Sequence, residues 1–88
     1  MNDDNKLKIL KAVASDNRFL ILKLLHKNKE MSVGDLAEKI NTPIRSMSKN
    51  LRVLRQASLV QFRKKFVRKY YFIDLANFPK ELLNFLDN

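Results

Sequence analysis

Ser32-Val33-Gly34-Asp35-Leu36-Ala37-Glu38-Lys39-Ile40, then Asn41-Thr42, then Pro43-Ile44-Arg45-Ser46-Met47-Ser48-Lys49-Asn50-Leu51-Arg52-Val53-Leu54-Arg55-Gln56-Ala57: this stretch decides how the chain folds. Ser32 offers a side-chain oxygen to cap a short helix through Ile40, with Val33, Leu36, Ala37 and Ile40 inward. Thr42 followed by Pro43 reads as a cap and a first helical residue, opening a second helix to about Ala57. A short helix, a tight turn at Asn41-Thr42 and a longer helix make a helix-turn-helix, here without the glycine such turns often carry.

The longer helix has two unlike faces. Ile44, Met47, Leu51 and Leu54 fall at i, i+3, i+7 and i+10 and predict a core arc, while Arg45, Lys49, Arg52 and Gln56 fall opposite, with Ser46 and Val53 at the flanks. A helix of this width enters the DNA major groove, and its N-terminal residues reach base edges first. Arg45, Ser46 and Lys49 are therefore base-edge candidates, with Asn50 next. Arg52 sits further back, where phosphate is nearer.

The charge distribution supports that reading. Eighteen basic and nine acidic residues give the 88-residue chain a net charge of +9. Residues 1–40 carry a net +2 and residues 74–88 a net −2, so residues 41–73, with nine basic side chains and no acid, account for the excess. A solvated helix face ordinarily mixes signs, because opposite charges at i,i+4 support it. A long acid-free stretch forgoes that support and points to a polyanion partner, nucleic acid before a membrane surface. The latter would want a broad, bulky apolar face beside the charge.

Outward from this centre, Leu7, Leu10, Val13 and Ala14 predict a first helix over residues 3–14, with Asp3 and Asp4 at its positive end. Ser15 and Asp16 offer caps for a second helix carrying Phe19, Ile21, Leu22, Leu24 and Leu25, apolar over most of its circumference and so expected at the centre. His26-Lys27-Asn28-Lys29 closes it with basic groups at the negative end. Past Ala57 the period changes: Leu59, Val60 and Phe62 read as one strand and Lys69-Tyr70-Tyr71-Phe72-Ile73 as another. Between them residues 63–68 read as a basic hairpin tip without glycine. Arg63, Lys64, Lys65, Arg68 and Lys69, with Arg52 and Arg55 of the preceding helix, are candidates for phosphates or an adjacent minor groove. Phe66 near the tip has two readings, a wedge between base steps or packing back on the sheet or a partner subunit, and the second is the expected one. A last helix is expected from Pro79, with Leu82, Leu83, Phe85 and Leu86 apolar.

Composition excludes several classes. There is no cysteine, hence no disulfide, thiolate nucleophile or cysteine-ligated metal, which fits a reducing cytoplasm. The longest apolar runs are four residues, against the ~20 of a spanning helix, so no membrane segment or signal peptide is expected. No paired carboxylates, glycine-rich phosphate loop or nucleophile–base pair is present, and no enzyme is predicted. His26 reads as a helix-end cation or surface residue rather than a ligand. The whole chain, residues 1–88, is read as one mainly α domain with a small β-hairpin, in the order α-α-α-α-β-β-α.

That order is a winged helix-turn-helix, and the segment from Leu10 to Leu75 resembles the ArsR family of bacterial and archaeal repressors. Ala14-Ser15-Asp16-Asn17-Arg18 with Ile21-Leu22, Ser32-Val33-Gly34-Asp35-Leu36-Ala37, Met47-Ser48-Lys49-Asn50-Leu51-Arg52-Val53-Leu54-Arg55, Leu59-Val60 and Tyr70-Tyr71 carry the resemblance. It implies a homodimer built through the first and last helices, with two recognition helices reading an inverted repeat in double-stranded DNA. The family's recognition positions fall on Arg45, Ser46, Ser48 and Lys49. The apolar stripes available for pairing are Leu7 and Leu10 in the first helix and Leu82, Leu83, Phe85 and Leu86 in the last. Where metal-sensing members carry cysteines this chain has Ser32 and Gly34, and its last helix offers only Glu81 and Asp87. The family's metal site is therefore not implied, and no cofactor is expected. Asn50 stands in place of a frequent histidine and Ser58 in place of the usual glycine before the wing. A winged helix used as an architectural or protein-interaction module, binding nucleic acid without sequence preference, is the alternative.

Overall fold

In the computed structural model, which describes residues 2–87, side-chain oxygens start three of the five helices. Asn2 Oδ1 accepts from Asn5 N at 2.9 Å and begins α1 (Asp3–Val13). Ser15 Oγ accepts from Arg18 N at 3.4 Å and begins α2 (Asp16–Asn28). Ser32 Oγ accepts from Asp35 N at 3.1 Å and begins α3 (Val33–Ile40). Each bond satisfies an amide that the first helical turn leaves without a partner. The remaining helices, α4 (Ile44–Gln56) and α5 (Lys80–Leu86), follow prolines and have no side-chain cap.

The sheet has one strand more than the sequence suggests. A two-residue strand β1 (Met31–Ser32) precedes α3 and pairs antiparallel with β3 (Arg68–Ile73), which in turn pairs with β2 (Val60–Lys65), giving the order β1-β3-β2. Met31 lies opposite Tyr71, and Ser32 opposite Tyr70. Two residues leave no periodicity to read, and the pairing exists only because the wing comes back beside them.

The core gathers around α2, as its nearly all-round apolar surface predicts. Ile21, Leu22 and Leu25 meet Leu36 of α3, Met47, Leu51 and Leu54 of α4, and Leu59 and Val60 at the entry to the wing. Truncating any of the leucines, Ile21 or Met47 among these to alanine should cost about 2–5 kcal/mol. Ile44 does not join them: it is 61% exposed. Side chains on a helix lean toward its N-terminus, so the first residue of α4 leans off the end of the packed surface although it shares the wheel position of Met47 and Leu51.

Among the described residues, four non-glycine residues adopt positive φ: Lys29, Asn41, Ser58 and Phe66. Two of them end helices in the same way. Asn41, at φ 59°, lets Asn41 N bond Glu38 O at 3.2 Å and Thr42 N bond Ala37 O at 2.9 Å. Ser58, at φ 60°, does the same between Arg55 O (2.9 Å) and Leu54 O (3.0 Å). These are the paired bonds with which a left-handed residue closes a helix. Asparagine tolerates that conformation well, which is how the turn manages without glycine. Thr42 is thus spent closing α3 rather than capping α4, and Pro43, with ψ of 147°, stands outside the helix as its N-cap.

The hairpin also differs from expectation. Arg63, Lys64 and Lys65 continue β2 and Arg68 begins β3, so the tip is only Phe66-Val67. The register pairs Phe62 with Tyr71, Arg63 with Tyr70, Lys64 with Lys69 and Lys65 with Arg68. Phe66 does not pack back on the sheet; it is 102% exposed. At the base of the wing, Asp74 Oδ2 accepts from Asn77 Nδ2 at 2.9 Å and Gln61 Nε2 at 3.1 Å. Those bonds, the Asn77 bond foremost, hold its carboxyl below the usual aspartate range. At the far end, His26 Nε2 donates to Asp87 Oδ1 at 2.7 Å and ties α2 to the chain beyond α5. No helix among the described residues is long and apolar enough to cross a membrane.

Candidate nucleic-acid interface

α4 is the second helix of the helix-turn-helix. Its buried Met47, Leu51 and Leu54 fix its rotation, and that rotation turns Arg45, Ser46, Ser48, Lys49, Arg52 and Arg55 to solvent. Asn50 is the exception among the base-edge candidates. It is half-buried, and its Oδ1 accepts from Arg18 Nη1 at 3.1 Å. The same guanidinium donates through Nε to Ala12 O at 2.7 Å and through Nη2 to Lys11 O at 3.4 Å. Arg18 therefore occupies carbonyls that the end of α1 would otherwise leave open, and fastens that end to the flank of α4. Asn50 serves this clamp instead of facing outward with Arg45 and Lys49. No local pattern announces a pair separated by 32 positions in the chain.

The wing carries cations on both faces, as the register requires. Lys64 and Lys69 share the face of Phe62 and Tyr71; Arg63, Lys65 and Arg68 share the other with Tyr70 on β3 as a cross-strand neighbour. Aromatic rings order several of these charges. The Arg55 guanidinium lies 4.5 Å from the Phe62 ring centre and Lys69 Nζ lies 4.7 Å from it. Phe62 itself packs on Tyr71 with centroids 5.2 Å apart. One ring thus joins the end of α4 to the wing, so that the two cationic elements form one surface. Arg63 lies 4.8 Å over Phe72, and Lys65 5.3 Å over Tyr70. Burial raises the Tyr71 phenol above its ordinary pKa, opposed in part by Arg55 and Arg52, so it remains neutral beneath them.

The fold brings one acid to this surface. Glu30, at the α2–β1 junction, accepts from Lys65 Nζ at 3.0 Å and pairs with Arg63 Nε at 3.6 Å. It lies outside the acid-free segment, and only the pairing of β1 with the wing brings it near. Lys64, and Arg68 beside the tip, have no such partner among the described residues.

At the other pole, Leu7 and Leu10 on α1 and Phe85 on α5 are exposed, the last to 68%. Leu82 and Leu83 are half-buried against the core, and an open groove between the helices is lined by Ile9, Leu10, Pro79 and Leu82. Leu86 departs from the expectation that it belongs to this outer stripe: it is 5% exposed and sits in the protomer's own core. Leu86 packs inward because α5 is one short amphipathic helix lying on α2, and one of its apolar positions must face that support.

Residues 13–61 match the helix-turn-helix domain family. An uncharacterized HTH-type transcriptional regulator of Methanocaldococcus jannaschii is 32% identical over 79 residues, 90% of this chain and 88% of that protein. Among solved structures, HlyU from Vibrio cholerae is 28% identical with a TM-score of 0.80, covering 99% of this chain and 91% of that one. The homodimeric winged helix-turn-helix DNA-binding domain Mb0332 of Mycobacterium bovis, a possible ArsR-family transcriptional regulator, is 26% identical with a TM-score of 0.80, covering 98% and 81%. The chain belongs to the helix-turn-helix family of transcriptional regulators, with a winged fold. In that winged fold α4 is the second helix of the helix-turn-helix and β2–β3 is the wing. Among the described residues, no group of three or more His, Asp or Glu side chains comes together in a way that would hold a metal ion.

Proposed function

We propose that this protein is a sequence-specific, double-stranded DNA-binding repressor that works as a homodimer within the cytoplasm, the whole chain acting as one DNA-binding domain. α4 enters the major groove, where Arg45, Ser46, Ser48 and Lys49 meet base edges and Arg52 and Arg55 meet phosphate. The wing, with Arg63, Lys64, Lys65, Arg68 and Lys69, lies on the adjacent backbone or minor groove. A second protomer, joined through Leu7, Leu10, Leu82, Leu83 and Phe85, places a second α4 on an inverted repeat. Occupancy of that site blocks a promoter, with no metal-sensing step.

The observation that carries this reading is the single cationic surface in which Phe62 joins α4 to the wing. The family and the homodimeric relative support it. Selection from random duplex DNA at near-physiological salt tests it. The expected result is an enriched inverted repeat with half-sites about one helical turn apart. A bound pool with no enriched sequence would overturn specific recognition in favour of an architectural role. Absence of any bound pool would overturn DNA as the partner.

A further inference from the structure

The wing tip contradicts two ordinary preferences at once. Phe66 and Val67 are 102% and 95% exposed, the most exposed large apolar side chains among the described residues. Phe66 also holds φ at 57°, and positive φ occurs at the first of the two turn residues only. That is the pattern of a two-residue hairpin turn whose first position is normally glycine. A phenylalanine there carries backbone strain. It gains no packing in return, since nothing in the protomer covers the ring. Glycine, asparagine or aspartate would relieve both penalties.

The surroundings state what kind of partner would make the arrangement favourable. Lys64, Lys65, Arg68 and Lys69 flank the pair in sequence, two on each face of the hairpin. No acid lies between residues 41 and 73. Lys65, beside the tip, is drawn back to Glu30, while Arg68 on the tip's other side and Lys64 one residue further along have no acidic partner among the described residues. The wing therefore presents an apolar point between cations on a narrow two-stranded ribbon. A protein surface acidic enough to bind the cations would leave the ring in a polar setting. Duplex DNA offers both parts: phosphates on either side of the minor groove, and stacked base faces at its floor.

We infer that Phe66, supported by Val67, is a wedge that enters the minor groove beside the recognition helix's site and partly unstacks one base step. The inference rests on the DNA-binding reading above and deepens it. Apolar wedges of this kind kink a duplex toward the major groove by ~20–90°. The two wings of a dimer would place two such kinks symmetrically outside the half-sites. Pyrimidine–purine steps unstack most readily, so TA or CA/TG is favoured at the wedge position although no side chain reads a base edge there.

The test compares the full chain with Phe66→Asn and Phe66→Gly, both compatible with positive φ, so that each variant keeps the turn. Thermal unfolding checks that neither loses stability. The probe is the inverted-repeat duplex recovered by selection, with 2-aminopurine placed in turn at each flanking step, and with dyes at its ends for bend angle by energy transfer. The wild type is expected to raise 2-aminopurine emission at one flanking step per half-site and to bend the duplex. Both variants are expected to lose the emission and most of the bend, and to bind about tenfold more weakly, the order expected for exposing one aromatic ring. The salt dependence of binding should not change, because no charge is removed. Equal emission and bending by wild type and variants would overturn the wedge while leaving DNA binding intact. Failure of the wild type to bind any duplex would overturn the DNA-binding reading instead. Phe66-dependent binding to phosphatidylglycerol vesicles, with no Phe66 effect on the duplex, would assign the tip to a membrane and also overturn the wedge.

Discussion

The first turns of α4 carry three cations and the wing five, neither with an acid of its own, but the fold treats these charges differently. Arg45, Lys49 and Arg52 have no ion pair or ring contact among the described residues. In the wing, Arg63, Lys65 and Lys69 lie over aromatic rings, and two of them also meet Glu30. A cation over a ring is held in one place at a gain of ~0.5–1 kcal/mol when exposed. Free cations on a rigid helix are adaptable, which suits base edges that vary from site to site. Held cations suit phosphates, whose positions vary little.

Arg18→Ala would break that division most severely, because it strikes the axis of α4. It leaves Ala12 O, Lys11 O and Asn50 Oδ1 without their shared donor. A loss of about 2 kcal/mol is expected, or roughly 10 °C in Tm. Binding to the selected site should also fall in the cold, where the variant is folded, while the salt dependence contributed by the wing persists. Unchanged site preference with lowered Tm would show that the clamp stabilises the fold without aiming the helix. Next in size is a matched pair of truncations. Arg45→Ala is expected to cost about 1–3 kcal/mol on the selected site and relax preference at one base pair. Arg68→Ala should weaken all duplexes alike and lower the salt slope by about one per wing. Titrations on selected and random duplexes at several salt concentrations separate the two. Identical behaviour of the pair would erase the distinction between helix and wing.

What could be read in advance follows the same division. The helices were legible because Ser15 and Ser32 mark their starts and apolar residues recur at helical spacing. Exposure of Arg45 and Lys49 follows directly once Met47, Leu51 and Leu54 are inward. The wing's length was not legible. Arg63-Lys64-Lys65 has neither β-branched residues nor a turn former, and strand pairing overrode weak local preference. Asn41 and Ser58 take the left-handed positions where glycine is the usual signal, yet the ends at Ile40 and near Ala57 were legible because the apolar helical spacing stops there. Leu86 and Ile44 were misplaced because a helical wheel reports which side a residue occupies but not where the neighbouring elements stop. Asn50 and Glu30 depend on partners from distant segments, and only the assembled fold reveals them.

Glu30 offers the finest test of the contrast. Its carboxylate competes with phosphate for Lys65 and Arg63, and all three side chains are partly in water, where each such pair contributes well under 1 kcal/mol. Glu30→Gln keeps the shape and removes the competitor, while the rings of Tyr70 and Phe72 still hold the two cations in place. Affinity for random duplex should therefore rise about two- to fivefold at low salt, with a slightly steeper salt slope and no change in which bases are preferred. The ratio of specific to random binding then narrows only if the wing contributes more to random than to specific complexes. An unchanged ratio would mean that both complexes use the wing equally. No gain on any duplex would mean that Lys65 and Arg63 face away from the phosphates, leaving Lys64, Lys69 and Arg68 as the wing's contact. Glu30 would then be a support for the hairpin, tying β2 to the α2–β1 junction, and not a brake on non-specific binding.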